Sequence, residues 1–125
     1  MKPVGGGTPL RVPCVTLDEA LAGLDVSTRL IVKVDVEGGE PAVLRGMVNI
    51  LARYRVTVAM EYLLAEQPDN PHDRAVDQLH RLGYATFAIR PDGTLDPIAN
   101  VRTYMQRRGL RSDNLVFRRS ADASR

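Results

Sequence analysis

LIVKVDVEGGEPAVLRG, residues 30–46, decides the fold class. Its aliphatic residues Leu30, Ile31, Val32, Val34 and Val36 have the composition of a sheet strand, which predicts strand one over residues 30–36. Gly38-Gly39 turns the chain, and Pro41 suits the first turn of a helix, where a missing N–H costs nothing. Leu44, Met47, Leu51 and Tyr54 then recur at helical spacing, predicting one continuous helix from Pro41 to Arg53 or Tyr54. The strand carries Lys33, Asp35 and Glu37, and Glu40 follows the turn. Side chains alternate along a strand, so Lys33, Asp35 and Glu37 share one side while Val32, Val34 and Val36 share the other. Burying a lone charge is expensive, so such a row must be paired or face a wet cleft.

Working outward, Thr16 followed by Glu19 has capping-box spacing, and Leu17, Leu21 and Leu24 predict a short helix over residues 17–24. VTVAMEY, residues 56–62, is the second strand. Asn70 and Pro71 open a further helix with a stripe of Val76, Leu79 and Leu82, which Gly83 ends. YATFAIR, residues 84–90, is a third strand followed by the turn PDGT. A helical fragment is expected over residues 101–108, and DNLVFRR, residues 113–119, supplies a fourth strand. Residues 1–11 read as irregular, 12–119 as one domain and 120–125 as a frayed tail. Three strands alternating with helices predict an α/β fold whose parallel sheet is covered on both faces. The last two strands lack a full crossover helix between them and are expected to pair antiparallel.

Composition bounds the function. The chain has 125 residues, of which 44% are hydrophobic and 26% charged, enough for one globular domain. No apolar run approaches the roughly 20 residues that span a bilayer, and no signal-peptide core opens the sequence. No membrane partner and a cytoplasmic location are therefore expected. The single cysteine, Cys14, excludes an internal disulfide framework and reads as a small buried thiol. Residues 90–119 hold seven arginines against three aspartates, without an aromatic-rich binding motif, so a solvated cationic face is favoured over a nucleic-acid surface. No GxxxxGK[ST] motif is present, which excludes the P-loop ATPase that an aliphatic strand ending in acids would otherwise suggest.

In open α/β sheets the cleft lies beyond the carboxyl ends of the strands. Asp35 and Glu37 fall at that end of strand one, and Glu61 at that end of strand two. Adjacent strands lie about 4.8 Å apart, so the three acids are expected to converge on one rim. Such a rim suits hydrogen-bonding a hydroxyl or amine, holding a divalent cation, or accepting a proton. The structural alternative is that Glu40 only favours the positive end of a helix and Lys33 only neutralises Asp35 or Glu37. His72 and His80 are expected to point to solvent.

TLDEAL (16–21), LIVKVDVEGGEPAVLRG, VTVAMEY and NLVFRR (114–119) resemble, in order, segments of the C-terminal half of FkbM-type S-adenosylmethionine-dependent methyltransferases. The core Lys33-x-Asp35-x-Glu37-Gly38-x-Glu40 carries most of the likeness, which covers residues 12–119. The resemblance implies O-methyl transfer to a hydroxyl of a sugar, lipid or secondary metabolite. It also implies a partial class I methyltransferase (Rossmann-like) sheet, in which these strands match the fourth to seventh and the final one runs antiparallel. Asp35, Glu37 and Glu61 would line the reaction cleft as catalytic residues, with Asp35 or Glu37 as base or orienter. Lys33 and Gly38 would border the cofactor, and Asp35 with Glu37 could hold a divalent cation. The glycine-rich strand-turn-helix that receives S-adenosylmethionine is not found in residues 1–29, so the chain reads as truncated, lacking the cofactor-binding half. Strand one would then expose an unpaired edge, and a homodimer or a separate N-terminal half is the expected partner. The alternative is a non-catalytic remnant or interaction module that pairs through this edge.

Overall fold

The computed structural model describes residues 6–120. The elements are α1 (Leu17–Ala20), β1 (Arg29–Val34), α2 (Glu40–Arg45), α3 (Val48–Arg53), β2 (Arg55–Leu63), α4 (Pro71–Arg81), β3 (Tyr84–Ile89), β4 (Leu95–Ile98), α5 (Val101–Arg108) and β5 (Ser112–Arg119). They build one α/β unit around a five-stranded sheet in the order β1-β2-β5-β3-β4. β1 and β2 pair in parallel, whereas β5 runs antiparallel to both β2 and β3, and β4 is antiparallel to β3. The parallel start and the reversed closing strand therefore agree with the sequence. Residues 6–16 have no regular structure, and the expected tail lies outside the described residues from position 121 onward.

One hydrophobic cluster organises the fold. Val56, Val58, Met60 and Tyr62 of β2 point into it, with Val34 of β1 and Leu115 and Phe117 of β5. Every helix contributes to this cluster: Leu17 from α1, Leu44 from α2, Ile50 and Leu51 from α3, Leu79 from α4, and Met105 from α5. The helices thus lie on one side of the sheet. The expectation of a sheet covered on both faces is corrected, because among the described residues no helix covers the other face. That face presents Ile31, Ala59, Phe87 and Val116, none of which joins the cluster, and Ile31 is 83% exposed.

Five local expectations change as well. β1 begins at Arg29 and ends at Val34, so Asp35 and Glu37 belong to the following turn and not to the strand. The helix expected over Pro41 to Tyr54 is two helices, broken at Gly46-Met47. The break has a tertiary cause: Asp18 of α1 accepts hydrogen bonds from the free N–H groups of Asn49 (3.1 Å) and Ile50 (3.0 Å) at the start of α3, while its own N–H donates to Gly46 O. Helix N-termini need such an acceptor, and Met47 has none to give. α1 keeps its capping box between Thr16 and Glu19 but stops at Ala20 instead of reaching Leu24. β4 is an additional strand, pairing Leu95 with Ile89 and Ile98 with Thr86. Cys14 is exposed, not buried. No helix among the described residues is long and apolar enough to cross a membrane.

Candidate active site

The turn after β1 is shaped by two consecutive residues in the left-handed region, Glu37 (φ 47°) and Gly38 (φ 97°). Glycine occupies that region without steric cost, but an L-residue with a side chain does so only under strain of about 1–2 kcal/mol. Strain of this kind gathers at ligand-binding turns. Gly39 closes the turn with its N–H on Val36 O at 3.2 Å. Glu40, only 1% exposed, folds its Oε2 back to accept the Gly38 N–H at 2.9 Å. This acid is therefore consumed in holding the turn and is not available to a ligand.

The expected meeting of three acids resolves into two. Glu37 and Glu61 line one cavity of about 500 Å3 together with Gly38, Leu63, Ala65, Asn70, Pro71 and His72. Asp35 is not part of it. Its Oδ2 lies 3.3 Å from Lys33 Nζ, with both side chains about half exposed, so of the two carboxylates that Lys33 was expected to neutralise it takes Asp35. The physical reason is local: residues two apart in an extended chain share one side, so Lys33 lies within reach of Asp35. Lys33 borders a different hollow of about 620 Å3 along the free edge of β1, lined by Val15, Leu17, Val34 and Val43 among others. Gly38 alone of the two expected cofactor-cleft residues reaches the mouth.

The wall behind the mouth was not anticipated. His72, expected in solvent, is 3% exposed, and its Nδ1 lies 3.0 Å from Glu61 O. A carbonyl oxygen can only accept, so Nδ1 carries the proton of that bond, and in the neutral ring Nε2 is left as an acceptor. His80 is exposed as expected, although its Nε2 lies 2.7 Å from Thr86 Oγ1. Asn70 accepts the His72 N–H as the cap of α4 and donates from Nδ2 to Leu63 O at 2.8 Å, tying the helix to the end of β2. Beneath them Tyr62 OH donates to Asp73 Oδ1 at 2.5 Å, and Arg102 bridges Asp73 Oδ2 (2.6 Å) and Ala65 O (3.1 Å). Burial, and then the neighbouring Asp73 carboxylate, push the Tyr62 phenol well above its ordinary value. The sequence held one signal for this: His72, Val76 and Leu79 continue a single helical stripe at spacings of four and three. Nothing local marks the meeting of Tyr62, Asp73 and Arg102, which requires β2, α4 and α5 to be folded together.

The arrangement offers a hydroxyl or amine two carboxylates at the carboxyl ends of parallel neighbours, on a wall fixed by hydrogen bonds. Among the described residues no group of three or more His, Cys, Asp or Glu side chains could hold a metal ion, so the divalent cation suggested for Asp35 and Glu37 has no matching ligand set. The family model described as Methyltransferase FkbM domain matches residues 4–86. The chain belongs to the FkbM methyltransferase family. That match takes in both carboxylates of the mouth, the strained turn and His72, and ends inside β3. No curated protein and no solved structure matches the chain. FkbM methyltransferases generally use S-adenosylmethionine. The two carboxylates suit the ammonium group and ribose hydroxyls of that cofactor but offer its carboxylate group no donor, and the Gly38 N–H that could bind an anion is already given to Glu40.

Proposed function

We propose that this chain forms the acceptor side of an S-adenosylmethionine-dependent O-methyltransferase, acting on a hydroxyl of a sugar, lipid or secondary metabolite. The observation that carries the proposal is the shared cavity of Glu37 and Glu61 at the carboxyl ends of β1 and β2. A carboxylate held against the acceptor hydroxyl accepts its proton as the oxygen attacks, a contribution worth about 10²–10⁴ in rate. Glu61 sits on a regular strand with its backbone pinned by His72, which suits the base. Glu37, on the strained turn, suits the orienting partner. Asp35, engaged by Lys33, is assigned no such role.

The sheet supports a class I methyltransferase reading over residues 12–119. The order β1-β2-β5-β3, with β5 reversed, is that expected for the fourth, fifth, seventh and sixth strands of such a sheet. S-adenosylmethionine would supply the electrophilic methyl group, bound mainly by a unit beyond these residues that brings the missing donors. The test is methyl transfer from labelled S-adenosylmethionine to a panel of sugars and polyols, with the chain supplemented by a glycine-rich methyltransferase half. Transfer that falls about a hundredfold in Glu61→Gln is expected. Equal transfer by Glu61→Gln and the unaltered chain would overturn the assignment.

A second reading rests on the edge. Among the described residues β1 has a hydrogen-bonding partner on one side only, and its bare-face residue Ile31 is largely exposed. An open apolar edge is a template for another strand, and we propose that a separate cofactor-binding half or a second copy pairs there. Sedimentation equilibrium is expected to show concentration-dependent association that Ile31→Lys weakens. A monomer at all concentrations would remove the self-pairing form of this reading.

A further inference from the structure

The uncovered face of the sheet carries a second collection of charges at the end opposite the mouth. Arg29 and Arg55 are direct register partners on the parallel strands β1 and β2. Arg118 of β5 joins them, its Nε donating to Thr57 Oγ1 at 3.2 Å. The three arginines surround a depression of about 210 Å3 whose other walls are Leu30, Ile31, Val56 and Thr57. No carboxylate borders it, and no ion pair within 4.0 Å engages any of the three guanidinium groups among the described residues. On other parts of the surface Arg74, Arg90 and Arg102 each hold an aspartate.

Like charges directly opposite one another on neighbouring strands destabilise a sheet. Here such a pair is reinforced by a third cation, and the third is fixed in place through its Nε, while among the described residues no hydrogen bond engages its terminal amino groups. The guanidinium fork matches the oxygens of phosphate or sulfate, two donors to two acceptors. We propose that Arg29, Arg55 and Arg118 form a binding site for a tetrahedral oxyanion, the phosphate or sulfate group of an organic ester. The exposed side chain of Ile31 gives the carbon part of such an ester an apolar surface to rest on. The site stands on the amino ends of β1 and β2, away from the acid mouth, and is independent of the methyl-transfer reading.

The test is titration of the whole chain, followed by the Nε–Hε resonances of arginine in NMR, with inorganic phosphate, with a sugar phosphate, and with vesicles containing phosphatidic acid or only phosphatidylcholine. A saturable shift of the Arg118 Nε–Hε resonance in inorganic phosphate is expected, at lower concentration for the sugar phosphate. Arg55→Gln and Arg29→Gln should each weaken binding about tenfold, while Arg107→Gln on α5 should leave it unchanged, with circular dichroism confirming that each variant is folded. Binding of phosphatidic acid vesicles that phosphate competes away would identify a lipid headgroup as the source, and a sugar-phosphate shift without vesicle binding a soluble ester; both support the site. Absence of saturation, equal weakening in Arg107→Gln, or binding of a DNA duplex without any phosphate shift would overturn it.

Discussion

The two faces of the sheet follow the same alternation of side chains and serve different ends. On the helix side, Val58, Met60 and Tyr62 of β2 are fully buried beneath α3, α4 and α5. On the other side, Thr57, Ala59 and Glu61 of the same strand are only half-buried, with an acid mouth at the carboxyl end and an arginine cluster at the amino end. Stability is concentrated on the first face, which leaves the second free to carry unpaired charge. The acids themselves make the same division on a smaller scale. Glu40 is buried and spent on the turn, Asp35 is neutralised in solvent, and only Glu37 and Glu61 are left facing a cavity.

That contrast can be broken by substitution. Leu79→Ala removes a fully buried side chain of α4 and should lower unfolding free energy by about 3 kcal/mol in urea titration. Ile31→Ala on the bare face should change it by no more than about 0.5 kcal/mol. A comparable loss at both positions would mean that the second face is covered in solution.

Asn70→Ala comes next. It deletes the cap of α4 and the bond to Leu63 O together, and a loss of about 1.5 kcal/mol is expected from the same measurement. Tyr62→Phe removes the phenol bonded to Asp73 and should cost about 1 kcal/mol at neutral pH. Because folding raises the Tyr62 phenol, its contribution is fully present below the ordinary value of 10.0 and is lost as pH rises beyond it. The unfolded chain releases that proton first, so stability should fall above this pH, and the fall should be smaller in Tyr62→Phe. Equal alkaline slopes would contradict the buried phenol. Glu37→Gly should work in the other direction. Relief of the left-handed strain is expected to raise stability by roughly 1 kcal/mol while weakening acceptor binding at the mouth.

Much of this was written locally in the chain. The alternating strand VTVAMEY, the Thr16–Glu19 capping box, the Asn70-Pro71 helix start and the Gly83 stop all appear where their chemistry placed them. Period-two alternation in β2 even implied one wet face, but the strand-helix order favoured double coverage, and order alone cannot say on which side each helix lands. β4 was hidden because LDPI carries Asp96 and Pro97, poor strand formers that are tolerated at an edge once β3 supplies the partner. The break after Gly46 was hidden for the same kind of reason: Asp18, distant in sequence, provides the cap. At the mouth, Glu61 lies near the carboxyl end of β2, where the strand pattern put it, whereas Asp35 pairs with Lys33, its neighbour two residues away on the same side.

The claim at the centre is that Glu37 and Glu61 form one acceptor mouth. It is tested most directly by mapping backbone amide shifts of the chain during titration with a sugar polyol panel, in parallel with Asp35→Asn and Glu61→Gln. Shifts confined to Glu37, Gly38, Glu61 and His72, kept in Asp35→Asn and lost in Glu61→Gln, are the expected result. Shifts that survive in Glu61→Gln, or that centre on Lys33 and Asp35, would contradict it.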